Sequence, residues 1–254
     1  MISVRVGSAT DVGRVRSLNE DSMLVGADFF VVADGMGGHA AGDTASAMAV
    51  QRLAGLSGRR ELGPADVQAA LVAANDEILA LAQADRQRAG MGTTVAGLGL
   101  IRFAGSEHWV VFNIGDSRVY RFLDGSLVRL TADHSEVEEM VQAGTIAPDD
   151  ARTHPHRNVI TRALGMDPAP EADVWVFPPA PGERFLLCSD GLTSELTDPE
   201  IAAVLETMPA PQDGADLLVR RALDAGGHDN VTVILVDHVA IGLEENVDTV
   251  GRGS

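Results

Sequence analysis

The chain has one cysteine, Cys188, set in the apolar run Phe185-Leu186-Leu187-Cys188. A lone thiol cannot close an intrachain disulfide, so the stapled architecture of small secreted domains is excluded and a buried filler thiol is expected. Cationic side chains are scarce too: 19 Lys and Arg stand against 37 Asp and Glu, a formal charge of -18. Such a surface repels phosphate backbones and anionic lipid, which counts against nucleic acid and membrane surfaces as partners. No apolar run approaches the ~18 residues that a membrane span needs, and Met1 to Gly7 lack the basic region and apolar core of an export signal. A cytoplasmic location is expected, with a monomer as the default. What is present is a hydrophobic share of 45% in 254 residues, enough for one sizeable core.

Alternating and β-branched residues predict strands over Ser3 to Ser8, Phe29 to Ala33, Thr93 to Phe103, Trp109 to Ile114 and Val119 to Leu123. Others are predicted over Leu127 to Leu130, Asp173 to Phe177, Arg184 to Ser189 and Val231 to Val236. Asp124-Gly125 suits the positive φ angles of a tight hairpin turn and argues for antiparallel pairing. Helical spacing runs from Asp43 to Leu56 and resumes after Pro64, where Val67, Ala70, Leu71, Ala74, Ile78, Leu81 and Ala82 fall on one stripe. Shorter helices are predicted over Ser135 to Ala143, Asp198 to Glu206 and Asp213 to Asp224. Two successive helices between strands do not fit alternating βαβ units, so the predicted class is α+β, in layers. No Pro- or Ser-rich linker divides the chain: residues 1–240 read as one domain and 241–254 as a flexible tail. The stretch 134–162, with Gly144, Pro148 and Pro155, reads as an insertion of the kind that serves as a lid.

Two apolar strands run directly into Asp-Gly, at Phe29 to Gly35 and at Phe185 to Gly191, placing Asp34 and Asp190 at the mouth of the core. Asp229 stands just before the strand from Val231, and Asp116 follows the strand that ends at Ile114. Taken singly, each reads more readily as a turn former. Their repetition at strand ends is the signal. Should they converge, each pair at ~4 Å repels by about 4 kcal/mol at an effective dielectric of ~20. The cluster must then protonate, spread apart or bind cations. Oxygen ligands beside glycine carbonyls suit hard ions, Mg²⁺ or Mn²⁺, whereas one cysteine and scattered histidines give little support for zinc. Two such ions bind a phosphoryl oxygen and bring a bridging water to a pKa near neutrality, the chemistry of phosphate ester hydrolysis. Bound metal would also supply the positive charge that an acidic protein needs to handle an anionic substrate.

Eight segments occur in an order that carries more information than any of them alone. They are Arg16-Ser17-Leu18-Asn19-Glu20-Asp21, Ala33-Asp34-Gly35-Met36-Gly37-Gly38-His39, Met91-Gly92-Thr93-Thr94, Gly115-Asp116-Ser117-Arg118, Leu130-Thr131-Ala132-Asp133-His134-Ser135, His154-Pro155-His156-Arg157-Asn158, Ser189-Asp190-Gly191-Leu192 and Asp229-Asn230-Val231-Thr232. With this set the chain resembles the PPM-type, or type 2C, metal-dependent protein phosphatases, particularly the short bacterial form, from about Val4 to Asp237. The resemblance implies a four-layer αββα sandwich, two antiparallel sheets flanked by helices. It also implies hydrolysis of phosphoserine and phosphothreonine in proteins, with a serine/threonine kinase acting on the same targets. By the match Asp34 bridges two metal ions, the Gly35 carbonyl binds one of them, and Asp190 and Asp229 complete the second site. Asp116, with Asp190, would hold a weaker third ion, to which Asn158 is an additional ligand. Glu20 and Asp21 match acids that hold metal-bound waters or bind metal directly. Arg16 would grip the substrate phosphate, for which its fork of donors is suited. His39 would protonate the leaving serine or threonine oxygen, a task that a pKa near 6.5 fits. His134, His154 and His156 are given no catalytic part.

Two other readings use the same residues. Gly35-Met36-Gly37-Gly38-His39-Ala40 satisfies the loose glycine fingerprint of dinucleotide-binding enzymes. Asp34 directly before it would repel a pyrophosphate, and no strand with a terminal acid follows about 20 residues on. The other reading is a binding module that keeps fold and metals without catalysis. No principal metal position is replaced here, which counts against it.

Overall fold

Strands buried on both faces explain the unbroken apolar runs in this sequence. In the computed structural model, which describes residues 2–37, 41–59 and 61–239, Phe29 and Val31 face one hydrophobic cluster while Phe30 and Val32 face another. The same split recurs at Leu186 and Cys188 against Phe185 and Leu187. Alternate side chains of a strand point to opposite faces, so a strand that is covered twice cannot afford a polar stripe. His39 and the tail 241–254 lie outside the described residues.

The elements run β1 (Ser3–Asp11), β2 (Asp21–Val25), β3 (Phe29–Met36), α1 (Gly42–Ala54), α2 (Pro64–Ala84), β4 (Gly92–Thr93), β5 (Val95–Phe103), β6 (Ser106–Ile114), β7 (Arg118–Leu123) and β8 (Ser126–Arg129). They continue with α3 (Glu136–Gln142), α4 (Pro148–Ala151), β9 (Asp173–Phe177), β10 (Arg184–Cys188), α5 (Asp190–Glu195), α6 (Asp198–Thr207), α7 (Pro211–Ala225) and β11 (Val231–Val239). One sheet has the order β1-β11-β10-β7-β8, the other β2-β3-β5-β6-β9 with β4 on β3. Every described strand pair is antiparallel. That geometry removes the dinucleotide reading, since a βαβ crossover needs parallel neighbours.

Three apolar layers hold the stack together. Between the sheets, Phe30, Val32, Trp109, Val111, Val119, Phe185, Leu187, Ile234 and Val236 interdigitate. Outside the second sheet α1 and α2 bury Ala45, Ala49, Leu53, Val67, Leu71, Ala74 and Ile78 against Phe29, Val31 and Phe112. Outside the first sheet α5, α6 and α7 bury Leu192, Ile201, Val204, Leu218 and Ala222 against Tyr120, Leu186 and Leu235. The architecture is the four-layer αββα sandwich of the α+β class. Among the described residues no helix is long and apolar enough to cross a membrane.

The expected hairpin at Asp124-Gly125 has both residues at positive φ, 50° and 75°, with Leu123 paired to Ser126. Residues 136–159 leave and rejoin the body at a clamp, the pairing of Ser135 with Ile160 and the bond from Glu136 N to Val159 O, and Arg129 holds Glu138 at 3.0 Å. Three elements carried no sequence signal: β2, which opens with Asp21-Ser22, and the short helices α4 and α5. β2 is held by its register against β3, in which Asp21 lies opposite Asp34, a tertiary constraint that its own composition does not encode.

Candidate metal centre

Antiparallel order brings strand ends together. β3 ends where β2 begins, so Asp34 and Asp21 are direct partners across the ladder. β10 ends where β11 begins, which sets Asp190 one residue beyond Ser189 and Asp229 two residues before Val231 at the same edge. Ser189 ties the two sheets at this edge: its hydroxyl donates to Asp21 Oδ2 at 2.7 Å and accepts from Thr232 N at 3.0 Å. Asp116 follows β6 on a turn that Gly115 makes possible at φ 100°, where an added Cβ would lie 2.6 Å from Thr94.

The Met91-Gly92-Thr93-Thr94 segment locks Asp34 in place. Thr94 Oγ1 accepts from Asp34 N at 3.0 Å, and Asp34 O accepts from Thr94 N and Thr93 Oγ1, each at 2.9 Å. Thr94 Oγ1 also meets Ser117 Oγ at 2.7 Å, joining the Asp34 strand to the Asp116 turn. Gly35 leaves no room for a side chain, because a Cβ there would lie 2.2 Å from Gly42 O and 2.5 Å from Glu20 O. Glu20 reaches the start of α1, where its Oε1 accepts from Gly42 N at 3.2 Å.

Electrostatics shows that these acids converge. Asp34 is pushed well above the usual carboxylate range, first by desolvation and then by the charges of Asp21, Asp190, Asp116 and Asp229. Asp116 moves the same way, through desolvation, Asp190 and Asp133, with Arg118 opposing. Asp21 is pushed up to about 7, chiefly by desolvation, against hydrogen bonds from Thr232 and Ser189. Asp190 is raised by desolvation and Asp229, and offset by a hydrogen bond with the Asp34 carboxyl and by Arg118 and Arg16. Asp34 and Asp190 keep an opening to solvent, yet enough protein surrounds them that desolvation leads in both.

Among the described residues no three His, Cys, Asp or Glu side chains stand close enough to form a finished metal cage. The acids sense one another as a repelling cluster, and among the described residues Arg16 and Arg118 offset its charge only in part. Asp21 Oδ1 is buried and, among the described residues, without a hydrogen-bond partner. An oxygen-only donor set with an excess of negative charge and an orphaned carboxylate oxygen fits a hard divalent cation. Asp34, Asp116, Asp190, Asp229 and Asp21 are thereby brought together. Asn158 is not: it is exposed, and among the described residues no bond or charge effect links it to the cluster.

Arg16 sits on the exposed loop between β1 and β2 and bonds Asp229 Oδ2 through Nη2 at 2.7 Å. Asp229, Glu20 and Asp34 all raise its pKa, so it lies within the field of the cluster while its side chain stays 52% exposed. The eight ordered segments contain residues that support this array, to which the sequence assigned no part. Arg118 grips Asp133 with Nε at 2.9 Å and Nη2 at 2.6 Å, and its Nη1 reaches Tyr120 Oη at 3.0 Å. His134 Nδ1 accepts from Gly115 N at 3.0 Å while Nε2 meets Asp173 at 3.3 Å, and burial lowers its pKa. Such links are pairings between distant segments, visible only once the chain is folded.

A family model described as protein phosphatase 2C matches residues 14–224. The chain belongs to the protein phosphatase 2C family. It is 40% identical over 238 residues to the serine/threonine protein phosphatase PstP of Mycobacterium tuberculosis, an alignment covering 93% of this chain and 45% of PstP. The chain thus spans about half the length of that relative. It is 37% identical to the serine/threonine phosphatase Stp of Listeria innocua, over 90% of this chain and 93% of Stp. The crystal structure of the PstP catalytic domain in complex with two manganese ions superposes with a TM-score of 0.85 at 37% identity, covering 94% of this chain and all of that one. In this protein phosphatase 2C chain, the ordered aspartates and their supporting threonines occupy one edge of the family's sandwich.

Proposed function

We propose that the chain is a metal-dependent phosphatase that hydrolyses phosphoserine and phosphothreonine in proteins, and that its substrates are the products of a serine/threonine kinase. The observation that carries this reading is that five aspartates from separate strand ends lie within one another's fields, in excess of the arginines that offset them. The manganese of PstP and the names of both relatives support it.

In this reading Asp34, Gly35, Asp190 and Asp229 hold two ions, Asp116 with Asp190 a third that Asn158 joins, and Glu20 and Asp21 bind metal or its waters. Bound Mn²⁺ or Mg²⁺ would draw in the phosphate dianion and render a water acidic enough to attack phosphorus at neutral pH. Arg16 holds two phosphate oxygens with its planar fork. As the bond from phosphorus to the serine oxygen breaks, His39 gives that oxygen a proton, leaving inorganic phosphate and a free hydroxyl. Residues 134–162 form a lid beside the site.

The deciding experiment measures phosphate release from phosphoserine, phosphothreonine and phosphotyrosine peptides against Mn²⁺ concentration. Metal-dependent release from the first two, exceeding the third, is expected. No release at any Mn²⁺ concentration would leave the binding-module reading. Arg16→Ala is expected to raise the half-saturating phosphopeptide concentration about tenfold with little change in half-saturating Mn²⁺; unaltered kinetics would remove Arg16 from the site. His39→Ala is expected to slow phosphoserine peptides more than p-nitrophenyl phosphate, whose leaving group scarcely needs a proton. Equal losses would take the proton-donor role from His39.

A further inference from the structure

Asn230 lies between Asp229 and β11, 5% exposed, and every hydrogen-bonding group of its side chain is directed at one loop. Its Nδ2 donates to Val12 O at 2.9 Å and to Leu18 O at 3.0 Å, and its Oδ1 accepts from Glu20 N at 2.8 Å. These three partners bracket the connection from β1 to β2, whose middle, Arg14 to Leu18, is exposed. Two further bonds lay the loop on the end of α7 and the turn before β11: Arg14 Nε to Leu223 O and Arg14 N to Gly227 O, both at 2.7 Å. Gly13 adopts φ 81°, and a Cβ there would lie 2.3 Å from Asp229 O, so the loop backbone rests directly on that turn.

Arg16 is carried at the centre of this span and meets Asp229 at 2.7 Å. A long, half-exposed arginine on an exposed loop has many rotamers and many backbone states to lose before it can meet a phosphate. Binding both ends of the loop to a buried amide removes the backbone part of that cost in advance. The task requires two donors and one acceptor in one plane on a short stem, and asparagine provides them.

We propose that Asn230 is the positioning residue for substrate phosphate: its amide clamps residues 12–20 at both ends onto the Asp229 turn and so holds Arg16 where the phosphate arrives. The proposal rests on the phosphatase reading above. Asn230→Asp keeps the shape and the acceptor but loses both donors, and Asn230→Ala loses all three bonds. Both are expected to raise the KM for a phosphoserine peptide about tenfold with a much smaller fall in kcat, and Asn230→Ala, which adds no charge beside Asp229, to change half-saturating Mn²⁺ by less than about twofold. Inhibition by inorganic phosphate is expected to weaken in parallel. In an Arg16→Ala background the same substitutions are expected to add less than about a further twofold in KM, because both act on one contact.

Multiplicative effects of Arg16→Ala and Asn230→Ala would overturn the proposal. A raised Mn²⁺ requirement at unchanged KM would do so as well, since Asn230 would then act through Asp229. Circular dichroism and Tm accompany each variant. If Asn230→Asp, Asn230→Ala and Asn230→Ser all fail to fold, the residue serves the fold and the proposal fails. Absence of Mn²⁺-dependent turnover in the wild type is a separate result: it sinks the phosphatase reading itself, and this proposal with it.

Discussion

Asp34→Asn and Asp190→Asn are each expected to lower Mn²⁺-dependent turnover at least about a thousandfold, while the metal-free variants melt at a higher temperature than the wild type. Both halves follow from one arrangement. Asp34 is surrounded by Asp21, Asp190, Asp116 and Asp229, and desolvation and all four charges oppose its ionisation. An amide of the same shape removes a charge that the metal-free fold must otherwise bury or neutralise, and a gain of ~1 kcal/mol raises Tm by about 2–4 °C in a domain of this size. The same change takes a negative ligand from the ions and weakens the field that holds them. Near-normal turnover in either variant would overturn the assignment of that residue. A lower metal-free Tm in both would show that the cluster is already compensated within the chain.

The fold was legible where burial writes a pattern. Strands covered on both faces show unbroken apolar runs, as from Phe29 to Ala33 in β3 and from Phe185 to Cys188 in β10, and the stripe on α2 marks the face that meets the sheet. Which strand lies beside which was not legible from periodicity, because pairings such as β1 with β11 join segments more than 200 residues apart. The sandwich entered through the family resemblance, and the antiparallel order bears it out. β2 escaped notice because its residues are neither alternating nor strongly apolar; its position is set by its neighbour.

The candidate site divides in the same way. Acids that follow apolar strands advertise themselves, since a carboxylate at the mouth of a core demands a reason, and Asp34, Asp116 and Asp190 do lie within one another's fields. The residues that orient them gave no such signal. Thr94, Ser117, Arg118, Asp133 and Ser189 act through hydrogen bonds to residues distant in sequence, and a threonine or serine looks the same in sequence whether or not it holds a catalytic strand. Asn158, named by resemblance alone, sits exposed on the 136–159 segment, and among the described residues nothing ties it to the acids.

The stability of the metal-free protein is expected to fall as pH rises, and Mn²⁺ is expected to restore it most on the alkaline side. Unfolded aspartates titrate near ~3.9. In the fold Asp21 is pushed up to about 7, Asp34 and Asp116 are held well above the usual range, and Asp190 is raised. Between the unfolded and folded values the native chain binds more protons than the unfolded one, so unfolding becomes easier with each increment of pH. The contribution is present on the acid side and lost as pH rises through the folded values. The formal charge of -18 acts in the same direction by self-repulsion, so the slope in EDTA alone does not isolate the cluster. The difference between EDTA and Mn²⁺ does, because metal competes with protons for these oxygens and for few others. At a hundredfold excess over Kd the ion adds about 2.7 kcal/mol, which corresponds to about 5–10 °C in Tm for a domain of this size. That gain is expected in full near pH 8 and to shrink toward about pH 5, where protons occupy the ligands. Asp34→Asn should flatten the dependence. A gain in Tm that is equal at both pH values, or larger at the acid one, would mean that the buried aspartates are not where the metal binds.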